Sequence, residues 1–284
     1  MRDHQASSTA IFVNQLRAEH QLTDAAPKIL VDPVVVAFAK QFDKSSALDA
    51  FAGLSQASLD MLRSTLVCRS RFVEDTLCDF AARESCQYGL IGAGFDTFAY
   101  RQPVWAQTMP IFEIDHPMTQ AAKRNVLQDA GCQIPRNLHF CQIDFRTQSL
   151  WEALSTTPFA FDIPTVFSWM GVTQYIPHAA FRATLEFVLS LSRSTTIVFS
   201  FIATDDVLND EDRAMVRNIE GPVAVEGEPW ISRYHPEQLM SLLFEMGFST
   251  VYHLTPEIAH SRYFGPRNDR LAAPRVEQLI GATV

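Results

Sequence analysis

The sequence has few of the residues that cross-link secreted domains or hold structural metals. It contains only five cysteines, an odd number, and none of them forms a C-x-x-C pair. This pattern argues against both a disulfide framework and a structural zinc site. The eight histidines are scattered without an H-x-x-x-H or H-E-x-x-H spacing, so no metal site is predicted.

An excess of positive charge is also missing. The 23 lysines and arginines are outnumbered by 32 aspartates and glutamates, which gives a formal net charge of −9. Nucleic-acid binding depends on a basic surface, so no nucleic acid is expected as a partner. No stretch reaches the ~18 consecutive apolar residues of a membrane helix, and the first residues do not resemble a secretory signal. We therefore expect a cytoplasmic protein with no membrane partner.

Short β-rich runs and helical patterns alternate from about residue 87 onward. Alternation of this kind is typical of βαβ units and a mostly parallel sheet. The chain has too few units for a closed eight-stranded barrel. We therefore predict a Rossmann-like α/β fold, an open sheet with helices on both faces that binds ligands at the carboxyl ends of its strands. The predicted strands are 87–92, 109–115, 138–144, 164–169, 195–203 and 249–254, and the predicted helices are 117–130, 149–155, 178–192 and 235–246.

Two other regions differ from this pattern. Residues 1–85 have helical patterns, and we predict that they form a cap over an α/β domain of residues 86–284. Residues 204–234 are acidic at their start and carry glycine and proline later. Because inserts of this length are commonly lids or binding loops, we predict a lid over 204–234. The helical patterns of the cap cover residues 8–20, 33–41, 45–53 and 56–80.

The strongest local signal is a predicted strand that ends in the turn Gly92-Ala93-Gly94. Glycine lets a ligand approach the backbone closely there, although an ordinary strand-to-helix turn is the alternative. The next predicted strand ends in Asp115, about 20 residues further on, where a carboxylate can accept hydrogen bonds from both hydroxyls of a ribose. Asp115 has a second interpretation, as the N-cap of a helix that begins near Pro117.

The third predicted strand ends in Asp144-Phe145. This pair offers an acceptor for the exocyclic amine of adenine and an apolar face for its ring, and a solvent-facing turn is the alternative. Thr97 occupies the third glycine position of a dinucleotide G-x-G-x-x-G motif. Two glycines and two strand-end acids therefore favour a shorter adenosyl ligand over a nicotinamide dinucleotide.

Six short segments follow one another in a fixed order between residues 69 and 230. They are R-S-R-F-V-E-D (69–75), G-A-G-F-D-T-F-A-Y-R (92–101), F-E-I-D-H-P (112–117), I-D-F (143–145), F-S-W-M-G-V-T-Q-Y (167–175) and G-E-P-W (227–230). The series resembles the leucine carboxyl methyltransferase-like class I methyltransferases, which include bacterial enzymes associated with polyketide O-methylation. The resemblance implies a class I methyltransferase fold and S-adenosyl-L-methionine as the cofactor.

The resemblance also implies roles for single residues at the strand ends. Gly92 looks like the glycine that contacts the methionine part of the cofactor, and Gly94 belongs to the same turn. Asp115 is similar to the acid that binds the ribose. Asp144-Phe145 looks like the adenine-binding pair.

A basic residue before the first strand completes the implied cofactor site. Arg69 looks like the arginine that pairs with the methionyl carboxylate, for which a planar guanidinium fork is suited. Arg71 is the rival candidate. A helix-surface ion pair with Glu74 or Asp75, of little energetic weight if exposed, is the structural alternative.

The segment after the fourth predicted strand bears on the substrate. The eukaryotic protein-phosphatase branch of the family has A-E-G there, whereas this chain has Trp169-Met170-Gly171, with Met170 at the glutamate position. The phosphatase C-terminal leucine is therefore not carried over as the substrate, and the segment resembles the bacterial small-molecule branch. We expect Trp169, Met170, Tyr175 and Trp230 to line a substrate pocket, with burial in the core as the alternative for the aromatic residues.

Together these features predict an S-adenosylmethionine-dependent O-methyltransferase. We expect the acceptor atom to be a carboxylate or hydroxyl oxygen of a small-molecule or carrier-bound substrate. A carboxylate is already ionised at neutral pH, whereas an aliphatic hydroxyl needs a general base. His116 and His235 better fit structural roles, so no catalytic residue is named. A nicotinamide-dependent oxidoreductase and a non-catalytic adenosyl-binding protein are the alternatives.

Overall fold

The computed structural model describes residues 8–42, 51, 53–145, 147–225, 227–265 and 267–284. Within them, seven strands form one sheet in the order β3-β2-β1-β4-β5-β7-β6. The first five strands are parallel, and β7 runs antiparallel to both β5 and β6. The predicted open, mostly parallel sheet is therefore confirmed. The strands are β1 (Gln87–Ile91), β2 (Ile111–Asp115), β3 (Leu138–Gln142), β4 (Thr165–Trp169), β5 (Thr196–Ile202), β6 (Thr250–Leu254) and β7 (Glu277–Thr283).

The helices agree with the predicted ones to within a few residues at most of their ends. The helix predicted over 45–53 falls almost wholly outside the described residues. Across the described ranges, no helix has the length and apolar character needed to cross a bilayer. The α-helices are α1 (Ser8–Thr23), α2 (Pro33–Ala39), α3 (Gln56–Ala81), α4 (Pro117–Asp129), α5 (Leu150–Ser155), α6 (His178–Leu189), α7 (Asp210–Val225), α8 (Pro236–Met246) and α9 (Pro256–Ala259).

Strand β7 was not predicted from the sequence. Its residues, EQLIGAT, include Gly281 and show no regular alternation of apolar and polar side chains. The segment is extended because it lies between β5 and β6 and pairs with both of them. Tertiary pairing therefore decides its conformation.

The predicted lid region contains a helix. Residues 210–225 form α7, whose first turn carries three acidic residues that suit a helix N-terminus. The Asn209 side chain caps this end by accepting a hydrogen bond from the Asp212 N–H at 2.8 Å. Ile219 and Val223 of α7 pack in one apolar cluster with Phe12 of α1 and residues of α3.

Helices cover both faces of the sheet, as predicted. On one face, Val73 and Leu77 of α3 share a core with Tyr88 and Leu90 of β1. On the other face, residues of α6 and α8 pack against β4 and β5. Helix α3 is therefore part of the main core, whereas Ala18 of α1 packs with Val35 and Ala39 of α2 in a small cluster of their own. The division at residues 85 and 86 stays a prediction.

A buried polar cluster joins the N-terminal helices to the turn after β1. Asp32, the N-cap of α2, is fully buried and accepts hydrogen bonds from Arg17 at 2.8 Å and from the Thr97 hydroxyl at 2.6 Å. Arg17 also donates to the Thr97 hydroxyl at 3.0 Å, and Arg101 lies 3.3 Å from Asp32. Although burial disfavours ionisation, the two guanidinium groups hold the pKa of Asp32 below its ordinary value.

Replacing Thr97 with glycine tests this cluster and restores the third glycine of the dinucleotide motif. Thr97→Gly removes a hydroxyl that donates to Asp32 and accepts from Arg17, so it should lower the free energy of unfolding by about 1–3 kcal/mol. Urea denaturation followed by circular dichroism measures this change. Thr97→Ser keeps the hydroxyl and should lose only about 1 kcal/mol for the missing methyl group. A glycine variant as stable as the wild type would show that the cluster does not stabilise the fold.

Candidate functional site

A cavity of about 630 Å³ lies between the carboxyl edge of the sheet and the N-terminal helices. Its walls come from the ends of β1, β2 and β4, from α1 and α3, and from α7 with the segment that follows it. The edge of the sheet is where an open α/β sheet binds ligands, as the sequence predicts. Of the ten site residues expected from the sequence, nine line the cavity: Arg69, Gly92, Gly94, Asp115, Asp144, Phe145, Met170, Tyr175 and Trp230.

The glycine turn after β1 needs glycine at both positions for conformational reasons. Gly92 and Gly94 have φ angles of +70° and +49°, in the left-handed region. A Cβ atom on Gly92 would also lie 2.6 Å from Cγ2 of Val172, a distance that no side chain could tolerate without movement of its neighbours. The turn therefore brings the backbone after β1 close to the segment after β4.

Asp115 holds this turn from the neighbouring strand. Its two carboxylate oxygens accept hydrogen bonds from the N–H groups of Gly94 and His116, both at 2.6 Å. Burial raises the pKa of Asp115, and the two N–H groups partly oppose that rise. The N-cap of α4 is His116, whose Nδ1 accepts from the Met118 N–H at 3.3 Å. Asp115 is therefore not the N-cap of α4, which was the alternative that the sequence allowed.

The adenine-binding candidates lie at the end of the next strand. Asp144 is half-buried, and its carbonyl oxygen accepts hydrogen bonds from the N–H groups of Thr147 and Gln148, each at 2.9 Å. The Phe145 ring lines the cavity and is 48% exposed. The turn after β3 thus presents an acid and an aromatic face to the cavity.

The two candidate arginines of α3 have different surroundings. Arg69 lines the cavity, and its Nη1 donates a 3.0 Å hydrogen bond to Glu277 of β7. Arg71 is 45% exposed and pairs with Asp75 one helical turn away, and it is not among the cavity-lining residues. Glu74 pairs instead with Arg101. The helix-surface ion pair that the sequence allowed therefore belongs to Arg71.

The expected substrate pocket is corrected at one position. Trp169 is 1% exposed, stacks on Phe181 at 5.5 Å between ring centroids, and does not line the cavity. It is a core residue of the opposite sheet face because it ends β4 with its side chain toward α6. Met170, Tyr175 and Trp230 do line the cavity, and Trp230 packs against the apolar cluster of α1, α3 and α7.

Polar residues that were not identified from the sequence also line the cavity, among them Glu277, Arg17 and Asn14. Glu277 comes from the unpredicted strand β7, and Arg17 and Asn14 come from α1. Asn14 is 1% exposed, and neither atom of its carboxamide has a hydrogen-bond partner among the described residues. A buried amide without partners is costly, so a ligand is expected to satisfy it. None of the three belongs to a motif, so no sequence signal pointed to them.

The cavity wall has more negative than positive side chains. Among the described residues that line it, only Arg17 and Arg69 carry a guanidinium group, and none is a lysine. The surplus of carboxylates favours a ligand that carries positive charge. The acidic side chains are those of Glu74, Asp96, Asp115, Asp144, Glu228 and Glu277.

The chain is similar to proteins of one family. The leucine carboxyl methyltransferase family matches residues 10–189. A Bacillus subtilis (strain 168) protein, "Putative S-adenosyl-L-methionine-dependent methyltransferase YktD", is 30% identical over 213 residues, which cover 75% of this chain and 70% of that protein. A Mycobacterium avium (strain 104) protein with the same description, but without the name YktD, is 26% identical over 234 residues, covering 78% and 75% of the two chains.

Two solved structures have folds similar to that of this chain. A DUF574 family protein from Streptomyces avermitilis has a TM-score of 0.61 at 14% identity, with 99% of this chain and 98% of that chain covered. A crystal structure described as a "putative methyltransferase" from Thermobifida fusca has a TM-score of 0.57 at 13% identity, with 95% and 93% covered. The likeness over nearly the whole chain shows that this chain shares the fold of these two structures. Its homologues are described as S-adenosyl-L-methionine-dependent methyltransferases. The chain belongs to the leucine carboxyl methyltransferase family.

Proposed function

We propose that this protein transfers the methyl group of S-adenosyl-L-methionine to an oxygen atom of a small-molecule or carrier-bound acceptor. The observation that supports this proposal is a cavity whose wall combines two kinds of surface. The sheet order brings the ends of β3, β2 and β1, with their acids and glycines, together in one part of the wall. The apolar cluster of α1, α3 and α7, against which Tyr175 and Trp230 pack, contributes apolar side chains to the wall. The strand ends suit the cofactor, and the apolar side chains suit an apolar acceptor.

The order of the strand ends matches the order of the cofactor's parts. S-adenosyl-L-methionine runs from adenine through ribose to methionine, and β3, β2 and β1 lie side by side in that order. We assign Asp144 and Phe145 to the adenine, and Asp115 to the ribose hydroxyls. Gly92 and Gly94 then allow the methionine part to approach the backbone, because neither residue has a side chain and both have the positive φ angles that glycine adopts readily.

Arg69 completes the assignment at the methionine end. Its guanidinium lies next to the turn after β4, where a Cβ atom on Gly171 would be 2.7 Å from Arg69 Nη1. Its side chain is 14% exposed, so a carboxylate that binds there is largely shielded from water. A shielded guanidinium forms strong, directional hydrogen bonds with a carboxylate.

The protein's contribution to the reaction is alignment and exclusion of water. The bound cofactor supplies an electrophilic methyl group on a sulfonium, and the reaction is an in-line displacement. The apolar part of the cavity wall holds the acceptor away from bulk water. Burial raises the pKa of Tyr175 to about 12, so its hydroxyl stays protonated and acts as a hydrogen-bonding group. His116 lines the cavity, but its Nδ1 caps α4, and His235 lies near Asp206 outside the cavity.

Residues 167–175 support an oxygen acceptor. Their sequence, F-S-W-M-G-V-T-Q-Y, resembles the bacterial small-molecule branch of a family that includes enzymes associated with polyketide O-methylation. We therefore extend the proposal to acceptors of polyketide type, free or attached to a carrier. A carboxylate acceptor needs no general base, whereas a hydroxyl acceptor loses its proton during transfer.

Isotope labelling tests the reaction. The protein should convert S-adenosyl-L-methionine with a deuterated methyl group into a labelled product when it is incubated with fractionated bacterial small molecules. Mass spectrometry with fragmentation identifies the methylated atom as oxygen. Cofactor binding without any acceptor-dependent formation of S-adenosylhomocysteine would favour the non-catalytic adenosyl-binding alternative, and a label on nitrogen or carbon would contradict O-methylation.

Asp115→Ala tests the ribose assignment. The variant should bind S-adenosylhomocysteine more weakly by about 1–3 kcal/mol, because the ribose hydroxyls lose a charged acceptor in a closed site. Isothermal titration calorimetry measures the loss, and Asp129→Ala, which changes an exposed acid at the end of α4, is the control. Wild-type affinity combined with a collapse of the melting temperature would mean that Asp115 only stabilises the glycine turn.

Trp230→Ala tests the apolar part of the cavity wall. Turnover of the labelled acceptor should fall strongly while affinity for S-adenosylhomocysteine stays close to that of the wild type. If Trp230 serves only the core, the variant should instead lose ~3–5 kcal/mol of stability. Trp151→Ala removes a half-exposed tryptophan that does not line the cavity and should change neither turnover nor cofactor affinity. A stable Trp230 variant with normal turnover would contradict both roles.

A further inference from the structure

The ion pair between Arg69 and Glu277 joins two distant parts of the chain inside the cavity. Arg69 Nη1 lies 3.0 Å from Glu277 Oε1, and the two residues are 208 positions apart in the sequence. Both side chains line the cavity, and they are 14% and 12% exposed. Glu277 begins β7 and pairs with Ile202 at the end of β5, which places its carboxylate at the ligand-binding edge of the sheet. The pair is thus a largely buried cation and anion facing one ligand space.

The ion pair is continuous with the methionine end of the proposed cofactor site. Gly92 lies so close to Val172 that a Cβ on the glycine would be 2.6 Å from the valine side chain. The neighbouring Gly171 has a φ angle of +67°, and a Cβ atom on it would lie 2.7 Å from Arg69 Nη1. A chain of close contacts therefore runs from the glycine turn through the segment after β4 to the ion pair.

The amino-acid end of the methyl donor is a zwitterion with one carboxylate and one ammonium. Arginine has five N–H donors, and a carboxylate has about four acceptor positions, so each keeps capacity after one mutual hydrogen bond. We propose that Glu277 accepts hydrogen bonds from the α-ammonium of the cofactor while Arg69 donates to its α-carboxylate. This inference rests on the proposed assignment of Arg69 and adds a second charged residue that lies outside the segment matched by the family.

Glu277 has a simpler rival role, which is to hold Arg69 in place. In that case removal of its charge would weaken the binding of every ligand that contacts Arg69, whether or not the ligand carries an ammonium. If Glu277 instead contacts the ammonium, only ligands with an ammonium should lose affinity. A thermodynamic cycle that varies both the residue and the ligand separates the two roles.

The experiment uses the full chain, the isosteric variant Glu277→Gln and two ligands. The ligands are S-adenosylhomocysteine and its deaminated analogue, in which hydrogen replaces the α-ammonium. Calorimetry should show that the wild type binds S-adenosylhomocysteine about tenfold more tightly, the expected scale of one hydrogen bond to a charged group. Glu277→Gln should lose most of this preference while keeping its affinity for the analogue.

Glu228→Gln is the matched control. Glu228 is another carboxylate of the cavity wall, located after α7. Its replacement changes the net charge of the cavity by the same amount as Glu277→Gln does. The control should keep the wild-type preference for the ligand with the ammonium. Thermal melting verifies that each variant is folded, and the comparison of the two ligands on the wild type needs no variant.

Three results would overturn the inference, and each has a different consequence. Equal affinity of the wild type for both ligands would exclude an ammonium contact while leaving the proposed function intact. An equal loss for both ligands in Glu277→Gln, with the tenfold preference retained, would mean that Glu277 only positions Arg69. If the wild type bound neither ligand, the assignment of the cavity to the methyl donor would fail as well.

Discussion

The hydrogen bond from the Gly94 N–H to the Asp115 carboxylate is the contact on which the site depends. At 2.6 Å it joins the turn after β1 to the end of β2, and its charged acceptor makes it stronger than a neutral hydrogen bond. The parallel pairing of the two strands brings these groups into register. Gly92 and Gly94, whose φ angles are positive, line the cavity. A Cβ atom on Gly92 would collide with Val172.

Buried charge attaches α1, which forms part of the cavity wall, to this turn. Arg17 of α1 contacts Asp32 and Thr97 in the buried cluster and also lines the cavity. Thr97 stands where a dinucleotide motif would have its third glycine, and its hydroxyl is bonded to Asp32. The residue that argues against a dinucleotide ligand thus has a structural use, which is to connect the turn to the cap.

The electrostatics of the cavity suit a cationic methyl donor. Carboxylates outnumber guanidinium groups on its wall, and Arg17 and Arg69 each pair with an acid. A sulfonium therefore approaches a wall of opposite charge, whereas the apolar cluster of α1, α3 and α7 provides a separate surface for an acceptor. The cavity wall thus offers both charged and apolar surface, as the proposed pair of ligands requires.

Local sequence determined those parts of the site that lie where strands end. Gly92, Gly94, Asp115 and Asp144 follow apolar runs directly, and the carboxyl ends of parallel strands meet at one edge, so their proximity could be predicted from the sequence. The family resemblance added Arg69, whose preference over Arg71 the sequence left open. The structure places Arg69 in the cavity and Arg71 at the surface because they lie two residues apart on one helix and therefore face different directions.

Only the tertiary structure decided the rest. Strand β7 has no clear pattern of its own and is extended because β5 and β6 bind it from both sides, which is why Glu277 was not identified. Trp169 and Met170 are neighbours in the sequence, yet only Met170 lines the cavity, because consecutive side chains at the end of a strand point to opposite faces. Asn14 faces the cavity because α1 packs across it. Contacts between residues far apart in the chain set these positions, and such contacts leave no periodic signal in the local sequence.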